Sequence, residues 1–587
     1  MAIFMVRQTQ EDPVRVWQVL SFMKNISSCI GIGFLILITN NLIAQTTLDY
    51  KDRIHPEISD KFMVVSQNNY ATDVGFKILE QGGNAVDAAV AMGFALAVTL
   101  PRAGNLGGGG FMLIFEEKSK NISTIDYRSA APKSAKSSMY ITEEGVVRYG
   151  HLVNAVPGTV AGLIKAHETY GKLSLKQVMK PAIELARKGI IVSNDLNFIL
   201  NWGKESLLKN KASKNKFYRN GEPLEINSLF RQPRLAKTLT LISQKGDDVF
   251  YKGEIADWIV EDSLSNGGLL TKEDLAAYEA KERIAIETNY RGNRIVSMPP
   301  AASGGLVLLQ TLNILENFDI KSMGHNSASS IHHLSESMIR AFADRAKHHG
   351  DPDYYDVPVN DLLNKNYSKK GAQSIQRDFK TPDDLIFAGD FKQADESPDT
   401  THVSVIDEQG NAVSLTYTLG SSFGSGVTVA KGGFLLNNQM RNFSHYYGDD
   451  TAEYGKSEAN KLDPGKRMIS TQAPTLVFNP SGELSMVLGS PGGGRIPNIL
   501  TQVISNLIDH NLGFAESVMA PRINQRVAGN LEVETGISPD TLKLLKTFGH
   551  TIRPTDTMGS VQAIFIEDSK LYGVADTRRP DAMAKGK

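Results

Sequence analysis

"DTTHVSVIDEQGNAVSLTYTLGSSFG" occupies residues 399–424. Thr400 and Thr401 stand directly before a run in which "HVSVID" and "AVSLTYTL" alternate with period two around the turn residues "EQGN". That pattern predicts a hairpin with one buried face. The threonine pair admits two readings. One is a strand-leading pair, since threonine suits extended backbone. The other is a new chain start. A threonine hydroxyl is a weak nucleophile without a base, but an N-terminal threonine carries one in its own α-amine, which titrates near ~7.7–8. That amine exists only if the Asp399–Thr400 bond is broken. A rival nucleophile lies close by. Gly420-Ser421-Ser422-Phe423-Gly424 has the spacing G-x-S-x-G, with Ser422 at the attacking place. That motif needs a strand before it and a helix after it. The strand is present, but the β-branched and glycine-rich "SGVTVAKGG" that follows is a poor helix.

Outward from this stretch, the 587 residues exceed one ordinary core and suggest two to four domains by length alone. Hydrophobic residues are 41% and charged residues 22%, ordinary for a globular protein. A formal net charge of -1 supplies no basic field for nucleic acid or anionic lipid. The single cysteine, Cys29, lies in "MKNISSCIGIGFLILITNNLIAQ", residues 23–45. Lys24, the apolar run from Cys29 to Thr39 and the small-residue end at Ala44 read as a secretory signal cut after Ala44, with Met1 or Met23 as the start. The alternative is an uncleaved anchor helix, for which the run is short. The apolar core follows Cys29, which argues against a lipoprotein box. Without the signal no cysteine remains, so disulfides, a thiol nucleophile and a cysteine-built zinc site are excluded.

Two helices are expected over residues 71–98, the second apolar nearly all round and therefore buried. "AGNLGGGGFMLIF" and "STIDYRSAAP" read as a glycine-rich turn and two strands, and residues 155–380 as mostly helical. "APTLVF" and "LSMVLGS" form a second strand pair across "NPSG", and "GGGRIPNIL" opens a helix. This order suggests an α+β layered sandwich. Gly492-Gly493-Gly494 at that helix start is either a plain tight turn or a set of free N–H groups facing an anion. It is not a nucleotide loop, because no Gly-Lys-Ser/Thr follows. His332 with Glu336, and His348 with His349, have metal-compatible spacing. Each offers two ligands at most, so solvated helix faces are the expectation.

Taken in order, "AGNLGGGGFMLIF", "IDYRSAAP", "NAVPGTVAG", "PPAASGG", "DTTHVSVID", "LLNNQM" and "GSPGGGRI" resemble successive signatures of the γ-glutamyltranspeptidases, or glutathione hydrolases, from about Phe62 to the C-terminus. The resemblance implies an N-terminal-nucleophile αββα sandwich. It also implies a proenzyme that cuts itself into a large subunit, 45–399, and a small subunit, 400–587, behind the N-terminal segment 1–44. Thr400 then matches the nucleophile, Thr418 the threonine bonded to it, and Gly492 and Gly493 the oxyanion-hole backbone. Arg128 matches the arginine that grips the substrate α-carboxylate, a pairing suited to a guanidinium fork. Ser470 and Thr471 occupy the serine pair that assists it, and Gln439 lies near the α-ammonium.

Two positions depart from the family pattern. Gly420 stands where many members carry asparagine, and Asn442 where an aspartate usually sits; both missing groups help hold the α-ammonium. Arg441 adds a positive charge beside them. Residues 445–463 resemble the family's lid, with Tyr454-Gly455 as its latch, whose usual partner is the asparagine replaced by Gly420. The implied protein is a secreted, periplasmic γ-glutamyl hydrolase and transferase. It acts on glutathione and related γ-glutamyl compounds, with water, amino acids or peptides as acceptors. It needs no cofactor or metal, no nucleic acid and, once the signal is removed, no membrane span. The alternatives are a same-fold acylase preferring glutaryl groups and a weakly catalytic binding protein for γ-glutamyl peptides.

Overall fold

The hairpin expected after Thr400 forms as two antiparallel strands, Thr401–Ile406 and Ala412–Thr418. Asp407 closes the turn by accepting the N–H groups of Gln409 and Asn411. The computed structural model describes residues 54–143, 145–386, 399–445, 457–526 and 529–587. The expected leader with Met23, Cys29 and Ala44, and the Tyr454-Gly455 latch, lie outside the described residues.

The hairpin is the centre of a six-stranded sheet. Met63–Ser66 and then Met583–Gly586 flank it on one side, Gly109–Glu116 and then Asn121–Tyr127 on the other. A seven-stranded sheet lies against it, ordered Glu57–Ser59, Lys570–Ala575, Gln562–Glu567, Leu484–Gly489, Thr475–Phe478, Asn293–Ser297 and Ile286–Tyr290.

Strand alternation sorts the side chains into layers. Val65, Leu113 and Phe115 meet Val296, Leu476 and Val487 between the sheets. Val403, Val405, Val413 and Leu415 face outward onto helix Ala85–Thr99 and its neighbours. Val477, Met486 and Leu488 face helices Ser303–Leu315 and Ile496–Ile508 on the other side. The architecture is the expected αββα sandwich. The apolar helix is buried at every position, and its N-terminus is closed by a reciprocal capping box between Asn84 and Asp87.

Residues 54–587 form one unit, within which the two sheets share one interior. The middle of the chain is mostly helical, as expected, and it also supplies Ile286–Tyr290 and Asn293–Ser297 to the seven-stranded sheet. The expectation of solvated helix faces is corrected: His332 and Glu336, on helix Ala328–His348, and His349, which caps its C-terminus, are each at most 1% exposed. His332 Nδ1 lies 2.8 Å from His550 Nε2, and Glu336 accepts hydrogen bonds from Arg340 and Thr381. No group of three metal-ligating side chains occurs among the described residues.

Candidate active site

Residues 399 and 400 precede the first hydrogen-bonded strand, and both are buried. Thr401 pairs with Tyr417. The hairpin pairing ends there, and Thr400 and Thr418 are the next residues beyond it. The Thr418 hydroxyl donates to the Asp399 carbonyl at 2.8 Å and accepts the Gly420 N–H at 2.9 Å. The imidazole nearest in sequence, His402, turns between the sheets. It bonds Thr416 Oγ1 at 2.7 Å and Ser404 Oγ at 3.1 Å, and burial pushes its pKa down to about 3. It is therefore neutral at ordinary pH, and both ring nitrogens are already engaged.

Arg128 leaves the end of strand Asn121–Tyr127 and is 1% exposed. Its Nε and Nη2 donate to the carbonyls of Met468 and Ile469 at 3.2 and 3.3 Å, which seats the guanidinium against the residues leading into Ser470 and Thr471. The Ser470 carbonyl in turn accepts from Ser303 Oγ at 2.9 Å. A Cβ at Gly304 would come 2.0 Å from the Thr471 carbonyl oxygen, so the helix start in "PPAASGG" approaches this closely only as glycine. The Thr471 hydroxyl donates to the Gly493 carbonyl at 2.8 Å, tying the clamp to the glycine turn. Gly492 and Gly493 both hold positive φ, 144° and 56°, ahead of helix Ile496–Ile508.

One cavity brings together Arg128, Thr400, Thr418, Asn442, Ser470, Thr471 and Gly493. Gly492 and Gln439 do not line it. Gln439 is fully buried behind Thr418, whose carbonyl accepts its Nε2 at 2.8 Å. It adjoins the cavity-lining Gly420, a Cβ at which would lie 3.4 Å from Gln439 Cγ. Ser422 is not an elbow nucleophile. No helix follows it, and its hydroxyl donates to the Asp399 carboxylate.

Several contributors were missed in the sequence. Asn437 accepts the Ala155 N–H and donates to the Gly107 carbonyl, stitching three of the quoted motifs together. Asn438 accepts the Ser421 N–H and donates to the Arg148 carbonyl. Asn460 donates to the Asn442 carbonyl at 2.7 Å and accepts the Ile469 N–H at 3.1 Å, joining the segments that carry Asn442 and Ser470. The asparagine pair in "LLNNQM" was a visible signal; Asn460, isolated in a polar loop, gave none.

Arg441 also lines the cavity and donates to Ser421 Oγ at 2.8 Å. Two guanidiniums and no carboxylate thus border it among the described residues.

The family model described as gamma-glutamyltranspeptidase matches residues 71–586. The glutathione hydrolase proenzyme of Escherichia coli (strain K12) is 45% identical over 546 residues, covering 91% of this chain and 93% of that protein. The crystal structure of cephalosporin acylase from Bacillus halodurans superposes with a TM-score of 0.81 at 27% identity, covering 93% of this chain and 99% of the other. The Helicobacter pylori gamma-glutamyltranspeptidase structure is 41% identical with a TM-score of 0.53, covering 56% of this chain and 95% of that chain.

Proposed function

The chain belongs to the γ-glutamyltranspeptidase family, and from that premise we propose how its own residues divide the work. It is an enzyme of the glutathione hydrolase and γ-glutamyltransferase type, made as one precursor. The precursor cuts itself between Asp399 and Thr400. Thr400 Oγ bonds to the Asp399 carbonyl carbon, the carbon–nitrogen bond breaks, and the hydroxyl proton passes to the Thr400 nitrogen. Water then splits the ester, leaving a carboxyl at Asp399 and a free hydroxyl and amine at Thr400. The pieces 45–399 and 400–587 stay together. Support comes from the six-stranded sheet, in which strands from both sides of residue 400 interleave.

In the cut enzyme Thr400 Oγ attacks the γ-glutamyl amide while its amine takes the proton and returns it to the departing amine. The N–H groups of Gly492 and Gly493 stabilise the oxyanion. Arg128, Ser470 and Thr471 hold the α-carboxylate, and Asn442 lies toward the α-amine. Water or an amino acid then takes the acyl group. The observation that carries this assignment is the single cavity that Thr400 and Thr418 line together with Arg128, Ser470 and Thr471. The test is turnover of glutathione by the cut protein, and its loss in Thr400→Ala.

Export to the periplasm, with the leader removed after Ala44, completes the reading; N-terminal sequencing of the large fragment tests it. No described helix is long and apolar enough to cross a membrane.

A second reading has its own observation. The pairing of Arg441 with an uncharged Asn442 favours acyl groups that lack the α-ammonium, such as glutaryl. Parallel assays on γ-glutamyl and glutaryl anilides separate the two.

A further inference from the structure

Asp399 occupies a buried pocket of its own. Its Oδ1 lies 3.7 Å from Arg102 Nη1 and 3.8 Å from Arg579 Nη2, and its Oδ2 accepts from Ser422 Oγ. These three partners come from distant parts of the chain, and two of them are fixed by other contacts. Arg102 Nη2 pairs with Asp195 Oδ2 at 2.9 Å. The Arg102 carbonyl accepts the Phe423 N–H at 2.9 Å, which pins the residue after Ser422. Arg579 is half-buried, and its partial burial together with the nearby charge of Arg102 lowers its pKa, so the two guanidiniums repel each other. The carboxylates of Asp195 and Asp399 balance that pair. Burying two like charges is unfavourable unless carboxylates sit between them.

The position of this pocket is specific. No strand or helix ladder holds residues 399 and 400. The Asp399 carbonyl is fixed at one end by Thr418, at 2.8 Å. The Asp399 side chain is fixed at the other end by the pocket. Together they set the orientation of the peptide unit, and attack on an amide depends steeply on that orientation.

We propose that Arg102, Arg579 and Ser422 form a carboxylate cradle that positions Asp399 for self-cutting, and that the acidic side chain at 399 is a determinant of processing. This rests on the reading that the bond cut is Asp399–Thr400. The cradle touches neither Thr400 Oγ nor the carbonyl carbon, so its members are positioning residues.

The test follows full-length chains after pulse synthesis, with gel and mass analysis of the small fragment over time. Asp399→Asn, which keeps the shape and removes the charge, slows cutting tenfold or more. Arg579→Met slows it comparably, and Arg579→Lys recovers part of the loss. The double variant Asp399→Asn with Arg579→Met is no slower than the slower single variant, because each removes the same interaction. Ser422→Ala gives a milder loss. Wild-type cutting in Asp399→Asn overturns the cradle, and so do independent, multiplying losses in the double variant. A small fragment beginning elsewhere than Thr400 overturns the underlying reading instead, whatever the rates.

Discussion

The Thr418 hydroxyl donates a hydrogen bond to the carbonyl oxygen of Asp399 at 2.8 Å, just beyond the last hairpin pair, Thr401 with Tyr417. In the uncut chain that bond polarises the carbonyl that Thr400 attacks. Thr418→Val keeps the β-branched shape and removes the donor. A hydrogen bond contributes about 0.5–1.5 kcal/mol net, so cutting slows by roughly threefold to tenfold. A time course of fragment appearance checks this; an unchanged rate removes Thr418 from the step.

Arg128 seats its guanidinium by two bonds to the Met468 and Ile469 carbonyls. Lysine keeps the charge and loses the fork. On the ~1.5–3 kcal/mol scale of hydrogen bonds to charged groups, Arg128→Lys raises KM for γ-glutamyl donors about tenfold or more. Normal kinetics in this variant contradict the clamp.

Asn442 lines the cavity without a charge. Asn442→Asp supplies an anion beside the donor's ammonium and lowers KM for γ-glutamyl anilides about tenfold, the equivalent of ~1.4 kcal/mol. Glutaryl anilides gain nothing. Arg441 offsets part of the gain by pairing with the new carboxylate, so Arg441→Ala in combination enlarges it. A fall in γ-glutamyl turnover with cutting intact means that position 442 does not face the ammonium.

Gly420 responds differently. It holds φ +100°, and a Cβ there would come 2.3 Å from Asn438 Oδ1. Asn438 is committed to the Ser421 N–H and the Arg148 carbonyl, so it cannot yield without losing both. Gly420→Asn therefore costs about 1–3 kcal/mol of stability and does not restore amine binding. Equilibrium urea unfolding reads the loss; a variant as stable as the parent contradicts this packing.

His402 sets an acid limit. Its folded pKa is about 3, depressed by burial, against ~6.5 unfolded. The unfolded chain therefore binds the proton first. The stabilisation is complete above pH ~6.5 and is lost progressively as pH falls toward about 3. His445, pushed down to about 4, and His550, to about 3, act in the same direction. The histidine contribution to melting temperature is complete above pH ~6.5 and declines below. His402→Gln declines less steeply. An identical slope in that variant shows that His402 is not the sensor.

Much of this was legible in the chain. The hairpin, the buried helix at 85–99 and the glycine-led helix at 496 follow from period and punctuation, and the structure contains all three. What escaped was long-range. Strand Ile286–Tyr290 joins the edge of a sheet that the sequence does not announce and buries Ile286 and Tyr290 beside helix Ser303–Leu315. His332 and Glu336 looked solvated because spacing reports a helix face and says nothing of what packs on it. Arg102 and Arg579 lie 477 positions apart and meet only at Asp399. The bond from Gln439 Nε2 to the Thr418 carbonyl was likewise not legible, since a motif conveys adjacency and not the direction of a side chain.

The central claim is that Thr400 becomes a chain start. Intact-mass analysis with N-terminal sequencing of the purified, active protein tests it most directly. The account predicts a small fragment spanning 400–587 that begins Thr-Thr-His, and a single uncut, inactive chain in Thr400→Ala. An active chain with the Asp399–Thr400 bond unbroken would contradict it.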